Sequence, residues 1–456
     1  MQWRKYFPFA FRCGTVYPTL PMIHSLVQTI KKVTPTKWQW VFAHEGVKRY
    51  AKNTGWMFGG QFFSLFVSFF VGTWVARYLG PTNFGTVSYI LAFVGMFGFI
   101  ADLGITSTIN RELVKNPDQR DELLGVGFGL KILGGSAAFI ITVIGALFLS
   151  TTPLIKILVI VYSTIFISQA FNIIIVFFQA KVASQYYVYA QISAIITSSF
   201  LKIILILLGK GIIWLIVIYT LDLVWQAIGY VHIYHKLGFH MRQWKFRADL
   251  AKKIWHDSWP LMLSSAAAYI YLRIDQVLIG HMLDTKAVGY YAAAVKIAEI
   301  IYFIPGIICA SLFPAIINAK KTSALLYHQR LVRLYLLLFL SAIAISLPLS
   351  LLSHWVITLL FGESFAPAAQ ILTIYTWSSV GLFLGTAMSQ YLMAENLTKV
   401  IFAANIIAMV TNIILNLVLI PKIGLSGAAL ATLISYFVMP IIVFLHHKFR
   451  QTVTID

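Results

Sequence analysis

Eight ionisable residues fall inside or at the ends of long apolar runs: Asp102, Lys131, Lys202, Asp222, Arg273, Asp275, Lys296 and Glu299. An ion at the centre of a bilayer costs about 2.5–3.5 kcal/mol on insertion scales, so each needs a partner charge, water or a ligand. Buried opposite charges neutralise one another and hold helices in register. A charge that opens onto a water-filled chamber instead meets substrate or a coupling ion. Lys296 and Glu299, spaced i,i+3, suit a structural pair on one helix face. Arg273 and Asp275, in the run "YLRIDQVLIG", sit about 200° apart around a continuous helix, so each must find its partner elsewhere. The guanidinium of Arg273 offers a planar fork of donors suited to phosphate, which makes it a candidate for meeting an anionic headgroup.

Uncharged polar residues line up beside these charges. Asn405, Asn412 and Asn416 share one helical face, as do Gln61, Ser64 and Ser68. Such stripes serve interhelical hydrogen bonds first and sugar hydroxyls second. Pro260, Pro305 and Pro348 lie within apolar runs and remove backbone bonds there, and kinks near Pro260 and Pro305 would let the second half bend. The sequence has no GxxxxGK[ST] phosphate loop, no HExxH and no GxSxG elbow. Cys13 and Cys309 have no metal spacing. The expectation is a protein that is not an enzyme and uses no cofactor or metal.

The elements that must position the charges are membrane helices. Of the 456 residues 59% are hydrophobic and 11% charged, with a mean hydropathy of +0.81, against about 25% charged in a soluble domain. A span takes about 20 largely apolar residues. Twelve such runs occur, near 54–76, 84–106, 126–149, 153–178, 186–208, 211–234, 256–282, 288–316, 331–353, 367–392, 398–420 and 425–446. The fold class is therefore an all-α polytopic membrane protein. The segments between spans are mostly short, so function must reside within the bundle.

The chain carries 35 Lys and Arg against 15 Asp and Glu, a balance that suits nucleic acid or anionic lipid. Position decides between them. With the N-terminus in the cytoplasm, inward segments hold 26 cations and outward ones 5, namely Arg77, Lys156, Lys210, Lys286 and Lys422. That bias places both termini in the cytoplasm, and nucleic acid loses its support. Residues 1–53 lack the apolar core and cleavage site of a signal peptide. Their last part, 38–52, mixes tryptophans with Lys48, Arg49 and Lys52 as an interfacial helix does, and Met22 is an alternative start.

The halves repeat one another. Leu79 and Gly85 recur as Leu283 and Gly289 at an offset of 204, and Ala190, Ile192, Ala194 and Thr197 recur as Ala404, Ile406, Ala408 and Thr411 at an offset of 214. Six spans per half make the repeat parallel, an arrangement that places a site between two rocking lobes. The expected organisation is an extension (1–53), an N-lobe (54–234), a basic linker (235–255), a C-lobe (256–447) and a tail (448–456).

The run "NTGWMFGGQFFSLFVSFFVGTWVARYLGPTNFG" from Asn53, then "ADLGITSTINREL" from Ala101, "RIDQVLIGHMLDTKAVGYYAAAVKIAE" from Arg273 and "LFPAI" from Leu312, resemble Wzx-type polysaccharide flippases. These belong to the multidrug/oligosaccharidyl-lipid/polysaccharide exporter superfamily, and the likeness covers about residues 45–447. It implies two six-helix lobes around a central cavity, moving an undecaprenyl-diphosphate-linked oligosaccharide across the bacterial inner membrane by alternating access. It also implies cavity cations for the diphosphate, in the order Arg273, Lys296, Lys131 and Lys202, with Asn405 and Asn412 as further substrate contacts. Asp275, Glu299, Asp102 and Asp222 are then the groups for charge pairing or for a coupling H+ or Na+. By these boundaries the intramembrane charge sums to zero, which the resemblance does not lead one to expect. The competing readings are a cation-coupled multidrug exporter of the same superfamily and a polytopic glycosyltransferase or polymerase, the latter wanting a large outward loop that the sequence lacks.

Overall fold

The ends of the helices follow from where glycine and proline interrupt the apolar runs. The structure, a computed structural model, describes residues 45–149 and 151–453, and all regular structure among them is helical. Met22, Cys13 and most of the interfacial stretch lie outside the described residues, as does the end of the tail. Met57–Asp456 forms one compact unit. The described residues before it begin the first helix.

The first two expected spans are a single helix, Glu45–Met96, bent at Gly80. Gly80 has φ 69° and ψ 173°, a conformation open to glycine without strain, and Pro81 after it cannot continue the hydrogen-bond ladder. The bend is needed. The apolar stretch Arg49–Met96 has 48 residues, and at 1.5 Å per residue a straight helix of that length would exceed twice the roughly 30 Å hydrocarbon core. Among the described residues ten helices are long and apolar enough to cross a membrane, and this one is the longest of them.

The seventh span differs from expectation. Instead of one helix over 256–282 there are two, Ala248–Tyr271 and Ile274–Met282, parted at Leu272 and Arg273. Arg273, with φ −129° and ψ −20°, stands at the junction, and Asp275 lies in the first turn of the second piece. The two side chains are therefore separated by a break in the helix rather than by a turn around it. Pro260 sits inside the first piece without breaking it. Pro305 does break its span. It has no N–H to give the Ile301 carbonyl, which accepts from Ile304 N at 3.1 Å instead, and the helix Thr285–Ile300 gives way to Phe303–Thr322. A matching interruption falls at Phe97, 204 residues before Ile301, between Met96 and Gly98–Asp102.

Both halves contribute to one apolar core, in which Tyr89 and Val94 are buried with Ile279, Val288, Phe361 and Phe365. Glycines let the backbones meet there. A methyl group on Gly85 would fall on the Thr285 carbonyl oxygen and 2.6 Å from Gly289 N, and one on Gly289 would fall on the Pro81 carbonyl oxygen and 3.2 Å from Gly85 N. A second seam lies further along. Gly104, at φ 67°, leaves room for the backbone of Ser258 to Met262, Ser258 bonds the Thr108 hydroxyl at 2.8 Å, and Arg111 pairs with Asp257 at 3.5 Å. The outside of the bundle is apolar, with Phe62, Phe66, Phe70 and Trp74 about half exposed, as a lipid-covered surface must be.

Candidate functional site

The four intramembrane cations meet different fates. Lys131, on the helix Arg120–Leu147, is buried and bonds Asp102 Oδ1 at 2.5 Å and the Thr106 hydroxyl at 3.1 Å. Thr106 itself donates to Asp102 at 2.6 Å. The three bond one another, so Lys131, expected among the substrate contacts, is paired with Asp102 in this structure. Lys202, on Gln185–Leu207, is also buried, with its ammonium 4.1 Å above the Tyr219 ring. Asp222, on the next long helix, Ile212–Lys236, accepts a long bond from Gln226 at 3.5 Å.

Arg273, Lys296 and Glu299 form the third group, each partly exposed although far from the ends of its span. Among the described residues no ion pair or side-chain hydrogen bond engages any of them. The expected Lys296–Glu299 pair does not form. Lys296 instead turns toward the first half, against Gly72, where the missing Cβ leaves room, and lies 5.9 Å from the Phe84 ring. The Arg273 stem passes Gly95, with Cγ 3.9 Å from where a Cβ there would stand. Arg273, carried by the second half, thus lies near Gly95 of the first without a bonded counter-ion among the described residues.

Asp275 is in a different setting. It is 6% exposed and accepts hydrogen bonds from Tyr291 Oη at 2.7 Å, Thr432 Oγ1 at 2.5 Å and Asn416 Nδ2 at 2.7 Å. Those three donors come from three helices, Thr285–Ile300, Leu425–Val453 and Thr398–Ile423. Asn416 Nδ2 also reaches the Asn412 backbone carbonyl at 2.9 Å and its Oδ1 at 3.1 Å. Asn416 Oδ1 and Asn412 Nδ2 are buried without partners. Among the described residues no Lys, Arg or His lies within ion-pair distance of Asp275. A buried carboxylate held by neutral groups alone carries an uncompensated charge, which is costly unless a cation or a proton joins it. Rotating the Asn416 amide turns its orphan oxygen toward the carboxylate, giving with the two hydroxyls and Asn412 an all-oxygen cradle of the kind hard cations prefer. Asn405, expected on the same stripe, is half-buried, makes no side-chain bond and stands outside the cradle.

The i,i+4 spacing of Asn412 and Asn416 marked that stripe in the sequence. Tyr291 and Thr432 went unnoticed, because a lone hydroxyl in an apolar helix carries no periodic signal. No group of three or more His, Cys, Asp or Glu side chains that could hold a metal ion occurs among the described residues.

Comparison with known proteins places this arrangement. The family model described as "Polysaccharide biosynthesis protein" matches residues 50–320, more than half of the chain. The chain belongs to the polysaccharide biosynthesis protein family. A second family model, MatE, matches residues 260–418. Two relatives of this family member from Haloferax volcanii are "Probable flippase AglR", 32% identical over 169 residues (36% of this chain, 35% of that protein), and "Probable low-salt glycan biosynthesis flippase Agl15", 24% identical over 192 residues (41% and 40%). The matched region spans two fifths or less of each relative. Among solved structures, an inward-facing multidrug resistance MATE transporter superposes with a TM-score of 0.69 at 17% identity, covering 86% of this chain and 95% of that one. The lipid II flippase MurJ in an inward closed conformation gives 0.65 at 17%, covering 85% and 86%. These likenesses are of fold, a two-lobe, all-helical polytopic bundle. The polysaccharide biosynthesis family member described here is thus a multi-pass membrane protein.

Proposed function

We propose that this protein carries a polyprenyl-diphosphate-linked oligosaccharide from the inner to the outer leaflet of a cytoplasmic membrane, coupled to a monovalent cation held at Asp275. The observation that carries the reading is Arg273, a guanidinium without a bonded counter-ion where the two halves meet. An anion entering between the halves supplies the partner the protein leaves out, and a diphosphate matches the guanidinium fork. Lys296 adds a second unpaired cation, aimed from the second half at the first. Lys131 is paired with Asp102 and Lys202 lies over the Tyr219 ring of the first half, so the headgroup rests first on Arg273 and Lys296.

Coupling follows from the helix break. Arg273 and Asp275 flank the start of Ile274–Met282, so a cation drawn into the Asp275 cradle pulls on the segment that carries the headgroup contact. With both termini in the cytoplasm, the Gly85–Gly289 contact closes the outer end of the bundle, and substrate enters from the inner side. The undecaprenyl carrier and the bacterial inner membrane are the specific form suggested by the sequence resemblance.

A multidrug exporter is the second reading, favoured by the likeness to the MATE transporter. It would rely on Glu299 and Asp222 to hold an organic cation and would have little use for Arg273. Vesicles reconstituted with the purified protein and a fluorescent polyprenyl-diphosphate sugar, under sodium and pH gradients applied separately, test the choice. Glycolipid movement driven by one gradient supports the flippase. Movement of a lipophilic cation dye with the glycolipid left in place supports the exporter.

A further inference from the structure

We infer that Gly72 is a positioning residue for the headgroup: its missing side chain forms a recess on the first half that holds the Lys296 ammonium at the boundary of the two halves. This rests on the headgroup role proposed for Lys296. Glycine in a helix interior is unfavourable relative to alanine, and in membrane helices it is ordinarily offset by the close approach of another backbone. Gly85, Gly104 and Gly289 have that reason, since a methyl group on each would meet backbone atoms of the opposite half. Gly72 does not. A methyl group there would fall on Lys296 Nζ and 3.0 Å from its Cε, and among the described residues nothing else beyond its chain neighbours and its own helix backbone lies within 4 Å.

What the recess holds is the end of a side chain that can turn. Val295 and Ile297 are buried on either side of Lys296, so the helix Thr285–Ile300 is packed in place there and only the four-carbon stem is free to move. The Phe84 ring lies 5.9 Å from the ammonium, and Thr73, next to Gly72, is tied back to the Phe69 carbonyl at 2.7 Å. The recess belongs to the first half alone. At the offset of 204, Gly72 corresponds to Gln276 and Gly95 to Glu299, while Arg273 and Lys296 correspond to Phe69 and Ala92. The second half therefore carries both headgroup cations, and the first half, which has no side chains at 72 and 95, receives them. The diphosphate is then gripped by the second half, and Gly72 of the first sets where the Lys296 charge stands.

Gly72→Ala separates this role from packing, because the atom it displaces is the end of a flexible side chain: the fold should survive and the charge should move. Transport of a fluorescent polyprenyl-diphosphate sugar is measured in vesicles holding equal amounts of inserted full-length protein under the driving gradient. Gly72→Ala should raise the apparent KM at least about tenfold, as expected for the loss of one charge-assisted hydrogen bond, with the maximal rate kept and the unfolding temperature in detergent not lowered. Lys296→Met should raise KM as much, and adding Gly72→Ala to Lys296→Met should raise it no further. An unchanged KM in Gly72→Ala, a lowered unfolding temperature or failure to fold in that variant, or a further rise in the double variant overturns the inference. Lys296→Met at the wild-type KM overturns instead the headgroup reading of Lys296 on which it rests. Gly72→Ala decides by itself should Lys296→Met fail to fold.

Discussion

Gly85 and Gly289 face each other across the two halves, each filling the space that a side chain on the other would need. They stand 204 residues apart, as do Pro81 and Thr285, whose carbonyl oxygens lie where the absent methyl groups would be. The relation is reciprocal, as expected of two copies of one motif meeting about a two-fold axis.

The first prediction follows from that contact. Alanine at either glycine must push the opposing backbone away, and overpacking of this kind costs about 1–3 kcal/mol. Gly85→Ala and Gly289→Ala should each lower the thermal unfolding temperature in detergent and slow transport. Unchanged unfolding and full transport would mean that the halves do not meet at these residues.

The buried pair Lys131–Asp102 should behave differently from Arg273. Removing one partner of a buried ion pair costs about 3–5 kcal/mol, while removing both is close to neutral. The Asp102 side chain is 30% exposed, which puts the expected loss for Lys131→Met near the lower end of that range, about 3 kcal/mol. Lys131→Met with Asp102→Asn should recover most of it. Denaturant titration of the three variants checks this, and a double variant as unstable as Lys131→Met would contradict the pairing.

Sodium should stabilise the protein through the Asp275 cradle. A ligand at 100 times its Kd stabilises by about 2.7 kcal/mol, which is readable as a sodium-dependent rise in unfolding temperature. The rise should vanish in Asp275→Asn. Thr432→Val and Asn416→Leu, which remove ligands but not the charge, should need at least about tenfold more sodium for the same rise, a loss of about 1.4 kcal/mol each. A rise of equal size in Asp275→Asn would place the cation elsewhere.

The helical class and most of the apolar helices were legible in the sequence, because apolar run length is a local signal. The site was legible only in outline. Which cations are paired depends on contacts such as Lys131 with Asp102, 29 residues away, that no helical periodicity reports. The i,i+3 rule favoured Lys296 with Glu299, but the open space at Gly72 in the other half draws the lysine away. The break at Leu272 and Arg273 has no proline to announce it. Asp275 stood out in the sequence as a charge. Its cradle did not, since Tyr291 and Thr432 reach it from 16 and 157 residues further along the chain.

The central claim is that Arg273 meets the phosphates of the substrate, and transport by Arg273→Ala tests it most directly. In vesicles holding equal amounts of correctly inserted wild-type or variant protein, movement of a fluorescent polyprenyl-diphosphate sugar between leaflets is followed under the driving gradient. The account predicts that Arg273→Ala loses movement by at least about a hundredfold, in line with the roughly 3 kcal/mol of a charge-assisted hydrogen bond, that Arg273→Lys keeps part of it, and that neither unfolds earlier than wild type. Wild-type movement by Arg273→Ala would contradict it.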